Sequence, residues 1–201
     1  MAAASKASIL TFASAAWNTT FSGTTLDEAI KATLGDLNTS ELLTDWDESQ
    51  TLVSGGTSLA YPTNYKSVIS IQLASSTGYK YDPLIELPGG MRALKQLIYG
   101  TSPTGIPTHF VEDIDQEKFL LYLPANGAYT TEINFWAEHP LDADGIIYPS
   151  KFQHLLNVGA TYWLAVLRRN KEYINHWGQV YASTRQRMES QVAPTARGAY
   201  A

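Results

Sequence analysis

From about residue 50 to residue 137 the helical spacing of apolar residues gives way to short runs divided by turn residues. No other feature of the chain constrains its fold as much. The runs are LVSGG, SLAYP, KSVISIQLA, KYDPLIEL, PTHFVEDI, KFLLYLP and TTEINFWA, rich in β-branched and aromatic residues and separated by Gly, Pro, Asn or Asp. That pattern predicts strands. Val68, Ser70 and Gln72 alternate with Ile69, Ile71 and Leu73, which predicts one wet and one buried face, the mark of an antiparallel sheet half open to water. One stretch breaks the series: GGMRALKQLIYG spaces Met91, Leu94, Leu97 and Ile98 helically between glycines and predicts a short helix.

Helical periodicity flanks this region on both sides. TTLDEAIKATLGDLN puts Leu26, Ile30, Leu34 and Leu37 on one face, and Thr25 with Glu28 has the spacing of a capping box. Gly35 weakens the last turn, and NTSELLTDWDES reads as a polar turn followed by a short helix or loop. After Pro149, apolar residues from Phe152 to Val166 recur every three or four positions until RRNK interrupts them. Tyr173, Ile174, Trp177, Val180, Tyr181, Thr184 and Met188 then repeat the spacing. Two helices joined by so short a connection predict an antiparallel hairpin, and Gly159 and Gly178 inside them predict close helix approach. The expected fold class is α+β: a helical bundle (24–48 and 146–190) with an inserted antiparallel β-domain carrying a short helix (49–145). An extension (1–23) precedes it, and an aperiodic tail (191–201), mobile when alone, follows.

Chemistry is hard to find in this sequence. It has no GxxxxGK(S/T), GxSxG, HExxH or strand-following GxGxxG, so an enzymatic role and a cofactor are not expected. His109, His139, His154 and His176 lack a second ligand at metal spacing, and the acidic runs DWDE (45–48) and EDIDQE (112–117) lack a calcium-loop pattern. No metal is expected. There is no cysteine, the opening MAAASKASILTF is too short an apolar run for a secretory signal, and no window reaches the length of a membrane span. Net charge is −5, yet from Lys151 onward seven basic residues face two acids, so that end of the chain is either a solvated face or a pole suited to an acidic partner.

The string KFLLYLPANGAYTTEINFWAEHPLDADGIIYPSKFQHLLNVGATYWLAVLRRNKEYINHWGQVYASTRQRM resembles the C-terminal half of bacteriophage head-to-tail adaptor (connector or gatekeeper) proteins of tailed, short-tailed phages. What matches is the order: a strand closing on LYLP, an aromatic strand with a trailing proline, Tyr-Pro before a helix bearing LNVGA, and a last helix with aromatic and basic residues. Upstream, SLAYPTNYKSVISIQL, MRALKQLIY and TGIPTHFVED extend the likeness to about residues 24–190, with Asn64 where the family more usually has Asp. The resemblance implies a virion protein assembled in the host cytoplasm. It would form a ring, most often of twelve copies, joining portal protein to tail nozzle and tail fibre proteins, with non-specific contact to genomic DNA in the channel and no membrane. On that reading Arg185, Arg187, Val192, Pro194, Arg197 and Tyr200 would meet the portal, and Tyr162, Trp163, Trp177 and Tyr181 would lie in the core or at the subunit interface. EHPLDADGIIYP would be the hinge between bundle and β-domain. The rival readings are another tail or fibre-attachment protein, a carbohydrate-binding β-module with Trp17, Trp46 and Trp136 as stacking platforms, and a hydrolase using the acidic loops.

Overall fold

The structure, a computed structural model, describes residues 2–97 and 103–197, with side chains as far as Val192. The fold is α+β, and the chain divides into two compact units. Unit one comprises residues 1–43 and 138–201, and unit two comprises 44–137. The sheet unit is thus inserted into the helical one, as the periodicity predicts, with boundaries at 43/44 and 137/138 in place of 48/49 and 145/146.

The helical unit contains α1 (Lys6–Trp17), α2 (Gly23–Leu37), α4 (Gln153–Leu167) and α5 (Lys171–Arg197). Helix α4 packs against the other three. On α2 the predicted stripe is the buried one: Leu26, Ile30, Leu34 and Leu37 are each at most 1% exposed, and burial stabilises by about 1.5–3 kcal/mol per side chain. Its cap differs from the expectation. The Ser22 hydroxyl accepts from the Thr25 amide, so the helix begins one turn earlier and the Thr25–Glu28 box does not form. The N-terminal extension is itself a helix. α1 is capped by Ser5, ends on Asn18 in the left-handed region (φ 47°), and seats Ile9 and Ala13 at 0% exposure. Gln153 of α4 holds its start, accepting from the Ser5 amide (2.6 Å) and donating to the Ser5 carbonyl (3.2 Å). The hairpin is present: the chain reverses at Arg168–Asn170, with Arg169 at φ 55° and the Asn170 side chain accepting from the Tyr173 amide. The expected tail is helical instead. α5 runs through Val192 and Pro194 to Arg197, and Tyr200 lies outside the described residues.

In the sheet unit, β8 (Tyr129–Ala137) is the centre of one sheet. β4 (Tyr65–Ser75) lines one edge, while β1 (Thr44–Asp47) and β2 (Thr51–Leu52) share the other. The second sheet has the order β3 (Ser58–Ala60), β7 (Lys118–Tyr122), β6 (His109–Asp113), β5 (Ile85–Glu86). Every pairing is antiparallel except β5 with β6, which is parallel. The seven predicted runs all contain strands. β1 is an eighth strand, where a short helix or loop was expected. Alternation holds at Ile71 and Leu73, both 0% exposed, but a register shift between Val68 and Ser70 breaks it upstream and leaves Ile69 half-buried. Tyr65 touches Phe119 of one sheet (5.4 Å) and Phe135 of the other (6.0 Å), so the two sheets share an aromatic core. The expected short helix is α3 (Gly90–Leu97), which buries Leu94; Ile98 falls outside the described residues.

The stretch EHPLDADGIIYP, expected as a hinge, belongs wholly to the helical unit. His139 is 2% exposed and its backbone exchanges bonds with the Asn38 side chain: the His139 amide donates to Oδ1 (2.8 Å) and its carbonyl accepts from Nδ2 (2.9 Å). The imidazole stacks on Tyr148, and the amides of Leu141 and Ile147 lie 3.1 Å from its two ring nitrogens. A neutral ring has one lone pair and can accept from one of these amides. A protonated ring can accept from neither. Burial accordingly pushes the His139 pKa down, against a smaller opposing pull from Asp142. Because the unfolded chain then takes up the proton first, stability is full above about pH 6.5 and falls on acidification until the folded pKa is passed. The slope in that window is expected to approach, and not exceed, about 1.4 kcal/mol per pH unit, and to disappear in His139→Gln. Urea melts at stepped pH read it directly.

Candidate functional site

The residues expected to do the work of this chain converge on the α4–α5 hairpin, and the glycines explain how they come together. Gly159 sits where α4 meets α2 and α5. A β-carbon there would collide with Thr33 Cγ2 and lie 2.9 Å from Tyr181 Cε2. At Gly178 of α5 a β-carbon would be 3.3 Å from Tyr162 Cε2. The predicted close approach is real and is tightest at Gly159. It brings Tyr181 against α2, where its hydroxyl donates to Asp36 Oδ2 (2.8 Å), and burial followed by the Asp36 carboxylate pushes its pKa far up. Tyr162 stacks on Tyr181 with centroids 5.7 Å apart.

Arg185, expected at the portal, is engaged inside the helical unit. One terminal nitrogen donates to Asp36 Oδ2 (2.9 Å), Nε donates to Glu189 Oε1 (2.9 Å), and the other terminal nitrogen donates to Thr39 Oγ1 (2.7 Å) and to Ser40 Oγ. The guanidinium thus clamps the C-terminal end of α2 to α5. Burial would raise the Glu189 pKa, but the bonds from Ser40 and Arg185 outweigh it and hold the carboxyl below its usual value. Arg187, two residues on, is exposed. Val192 is half-buried, and Pro194 and Arg197 lie in the last turns of α5. Of the expected portal contacts with described side chains, Arg187 and Val192 are therefore the ones not consumed inside the unit. No local signal in the sequence links Arg185 to Asp36, Thr39 and Ser40.

The expected core-or-interface set separates in the same way. Tyr181 is 5% exposed and belongs to the core, whereas Tyr162, Trp163 and Trp177 are half-buried. Trp177 packs edge-on to Phe12 of α1 (5.8 Å), and Trp17 stacks on Tyr173 (4.3 Å) with the Arg168 guanidinium 5.4 Å from its centroid. The indole nitrogens of Trp17, Trp163 and Trp177 are buried, and none has an acceptor among the described residues. Of the suggested stacking platforms, Trp17 is thus packed and Trp136 is 7% exposed, while Trp46 on β1 is 66% exposed.

Of the acidic runs, DWDE is strand β1 and its turn. EDIDQE leads from β6 into a 3-10 turn capped by Asp113, with Glu112 accepting from the Tyr65 hydroxyl (2.7 Å). Among the described residues no three His, Asp or Glu side chains are grouped to hold a metal ion, and no helix is long and apolar enough to cross a membrane. No protein-family model matches the chain, and no curated protein is significantly similar to it.

Proposed function

We propose that this chain is the head-to-tail adaptor of a short-tailed bacteriophage, a structural subunit that forms a ring between portal and tail and helps retain and pass the genome. The observation that carries the reading is the order of the fold: both ends of the chain build a helical unit, a sheet unit is inserted between them, and the chain finishes in a 27-residue helix. A helical unit with an inserted sheet unit is compatible with the ring that the resemblance implies. The half-buried aromatics on α1, α4 and α5 suit a face completed by a neighbouring copy. The role needs no active site. It places the protein in the neck of the virion, with the exposed Arg187 and the end of α5 turned to the portal.

Light scattering of the purified protein with and without the portal ring of the same phage tests this. In the presence of portal the bound mass is expected to approach twelve times 22.1 kDa. Removing residues 192–201 is expected to leave the melting temperature within about 2 °C and abolish that binding. A full-length chain that never joins the portal overturns the proposal. Unchanged binding by the truncated chain overturns the part assigned to α5.

A further inference from the structure

Trp46 is among the most exposed large apolar side chains. It lies on β1, an edge strand, at a register position opposite Asn134 of β8, which in turn pairs with Ser70 of β4. Side chains of paired residues share a face, so Trp46, Asn134 and Ser70 form one row across the sheet. Glu132 and Gln72 form the next row, and Thr130 lies beyond them. The opposite face carries Thr131, Ile133 and Phe135, all at most 2% exposed. From Asn134 to Thr130 the outer face is therefore polar, with the Trp46 indole at its border and the buried Trp136 in the row beyond.

Its polar groups are held in place. Asn134 Nδ2 donates to Ser70 Oγ (3.1 Å) and to Glu132 Oε1 (3.3 Å), Lys80 pairs with Glu132 Oε2 (2.6 Å), and Gln72 Nε2 donates to the Tyr81 carbonyl (2.8 Å). These bonds fix the side chains, while the carbonyl oxygens of Asn134 and Gln72 and the Lys80 ammonium keep hydrogen-bonding capacity. From the Glu132–Gln72 row onward, one row along from Trp46, the surface dips into a groove of about 300 Å³ lined by Glu48, Gln72, Lys80, Thr130 and Glu132.

At the strand edge the Trp46 amide is taken by the Asp45 carboxylate (2.9 Å), which removes one donor that another strand would need. What remains open is the face, and its chemistry is specific. An indole plane packs on the C–H face of a pyranose ring, and oriented amides, hydroxyls and an ion pair satisfy the ring's hydroxyls. Two carboxylates, Glu48 and Glu132, against one ammonium, Lys80, disfavour an anionic sugar. Five residues along β8, from Asn134 to Thr130, span roughly 13 Å, room for more than one ring. We propose that this face, with Trp46 as its platform, binds a neutral oligosaccharide. The inference stands on the sheet unit alone and does not depend on the adaptor reading.

The test is NMR titration of the full chain, following the Trp46 indole resonance assigned with Trp46→Phe. The probes are cellohexaose, chitohexaose and maltohexaose, with polysialic acid as the anionic counterpart. At least one neutral probe is expected to shift that resonance saturably. Trp46→Ala, exposed and so free to fold, should weaken binding by about tenfold or more, and Lys80→Ala by several-fold. Three results overturn the proposal: no neutral probe moves the resonance at millimolar concentration, Trp46→Ala binds as well as wild type, or polysialic acid binds better than the neutral sugars. If instead the wild type self-associates through this face and Trp46→Ala does not, the occupant is a second copy of the chain and the sugar assignment fails.

Discussion

Valine at position 159 is expected to cost about 3–5 kcal/mol, enough to unfold most small domains or leave them barely stable. The crowding is against buried side chains on two other helices. A β-carbon on Gly159 collides with the Thr33 methyl and comes within 2.9 Å of the Tyr181 ring, while Thr33 is 1% exposed and its hydroxyl is bound to the Ala29 carbonyl (2.8 Å). Neither neighbour can swing away. Tyr181 could yield only by giving up its bond to Asp36 and disturbing the Arg185 clamp. Gly159→Ala meets the same collision with fewer atoms and is expected to lose about 1–3 kcal/mol despite the higher helix propensity of alanine. Gly178→Ala is the informative contrast. Its new methyl meets the half-buried Tyr162 ring at 3.3 Å, an edge that has room to shift, so the propensity gain of up to about 1 kcal/mol should offset the contact. Equal losses at both glycines in chemical denaturation would show that the tight crossing is not at Gly159.

Replacing Arg185 by Glu is expected to destabilise the helical unit by about 3–5 kcal/mol, and by Met about 2–3 kcal/mol, because Asp36 and Glu189 lose their shared cation while still partly screened from water. The side chains of Arg185, Asp36 and Glu189 are 23%, 30% and 41% exposed, so water softens the penalty without removing it. The pH dependence has a definite sign. The Glu189 carboxyl is held below 4.5 in the folded chain, so its contribution is present above that pH and is lost as pH falls through the folded value. The gap between wild type and Arg185→Met should therefore narrow below about pH 4.5. Arg187→Glu is expected to change stability by no more than about 0.5 kcal/mol, which makes it the variant with which to probe docking. A double failure of stability and docking in Arg185→Glu would report only on the fold. Identical melting of Arg185→Met and wild type would refute the clamp.

The parts of this fold that were legible in the sequence are those in which burial follows a period. The stripe on α2, the alternation in β3, β7, β8 and the second half of β4, and the hairpin all write their buried face into the spacing of Leu, Ile, Val and aromatic residues. α1 escaped because it buries mainly Ile9 and Ala13, and its Ala and Ser residues have no contrast between faces. β1 escaped for the opposite reason: as an edge strand it exposes Thr44, Asp45 and Trp46 alike, so no alternation exists to be read. EHPLDADGIIYP has the composition of a linker, and its role in the core depends on Asn38, more than a hundred residues earlier. The Arg185 clamp is hidden likewise, since pairing between side chains so distant in sequence leaves no local trace. That is why a basic residue that looked available proved to be committed.

The nested order of the two units also sets a timetable for synthesis. α1 and α2 leave the ribosome first, with Ile9, Leu26, Ile30 and Leu34 lacking the helix that will cover them, because α4 is encoded only after the whole sheet unit. At roughly 5–20 residues per second, those two helices wait on the order of ten seconds with their apolar stripes unburied. The sheet unit, which begins at Thr44 and closes when β8 pairs back onto β1, has all its strands before the first unit can be completed. The part of the chain that starts first therefore finishes last, and its early helices are natural clients for a chaperone on the nascent chain.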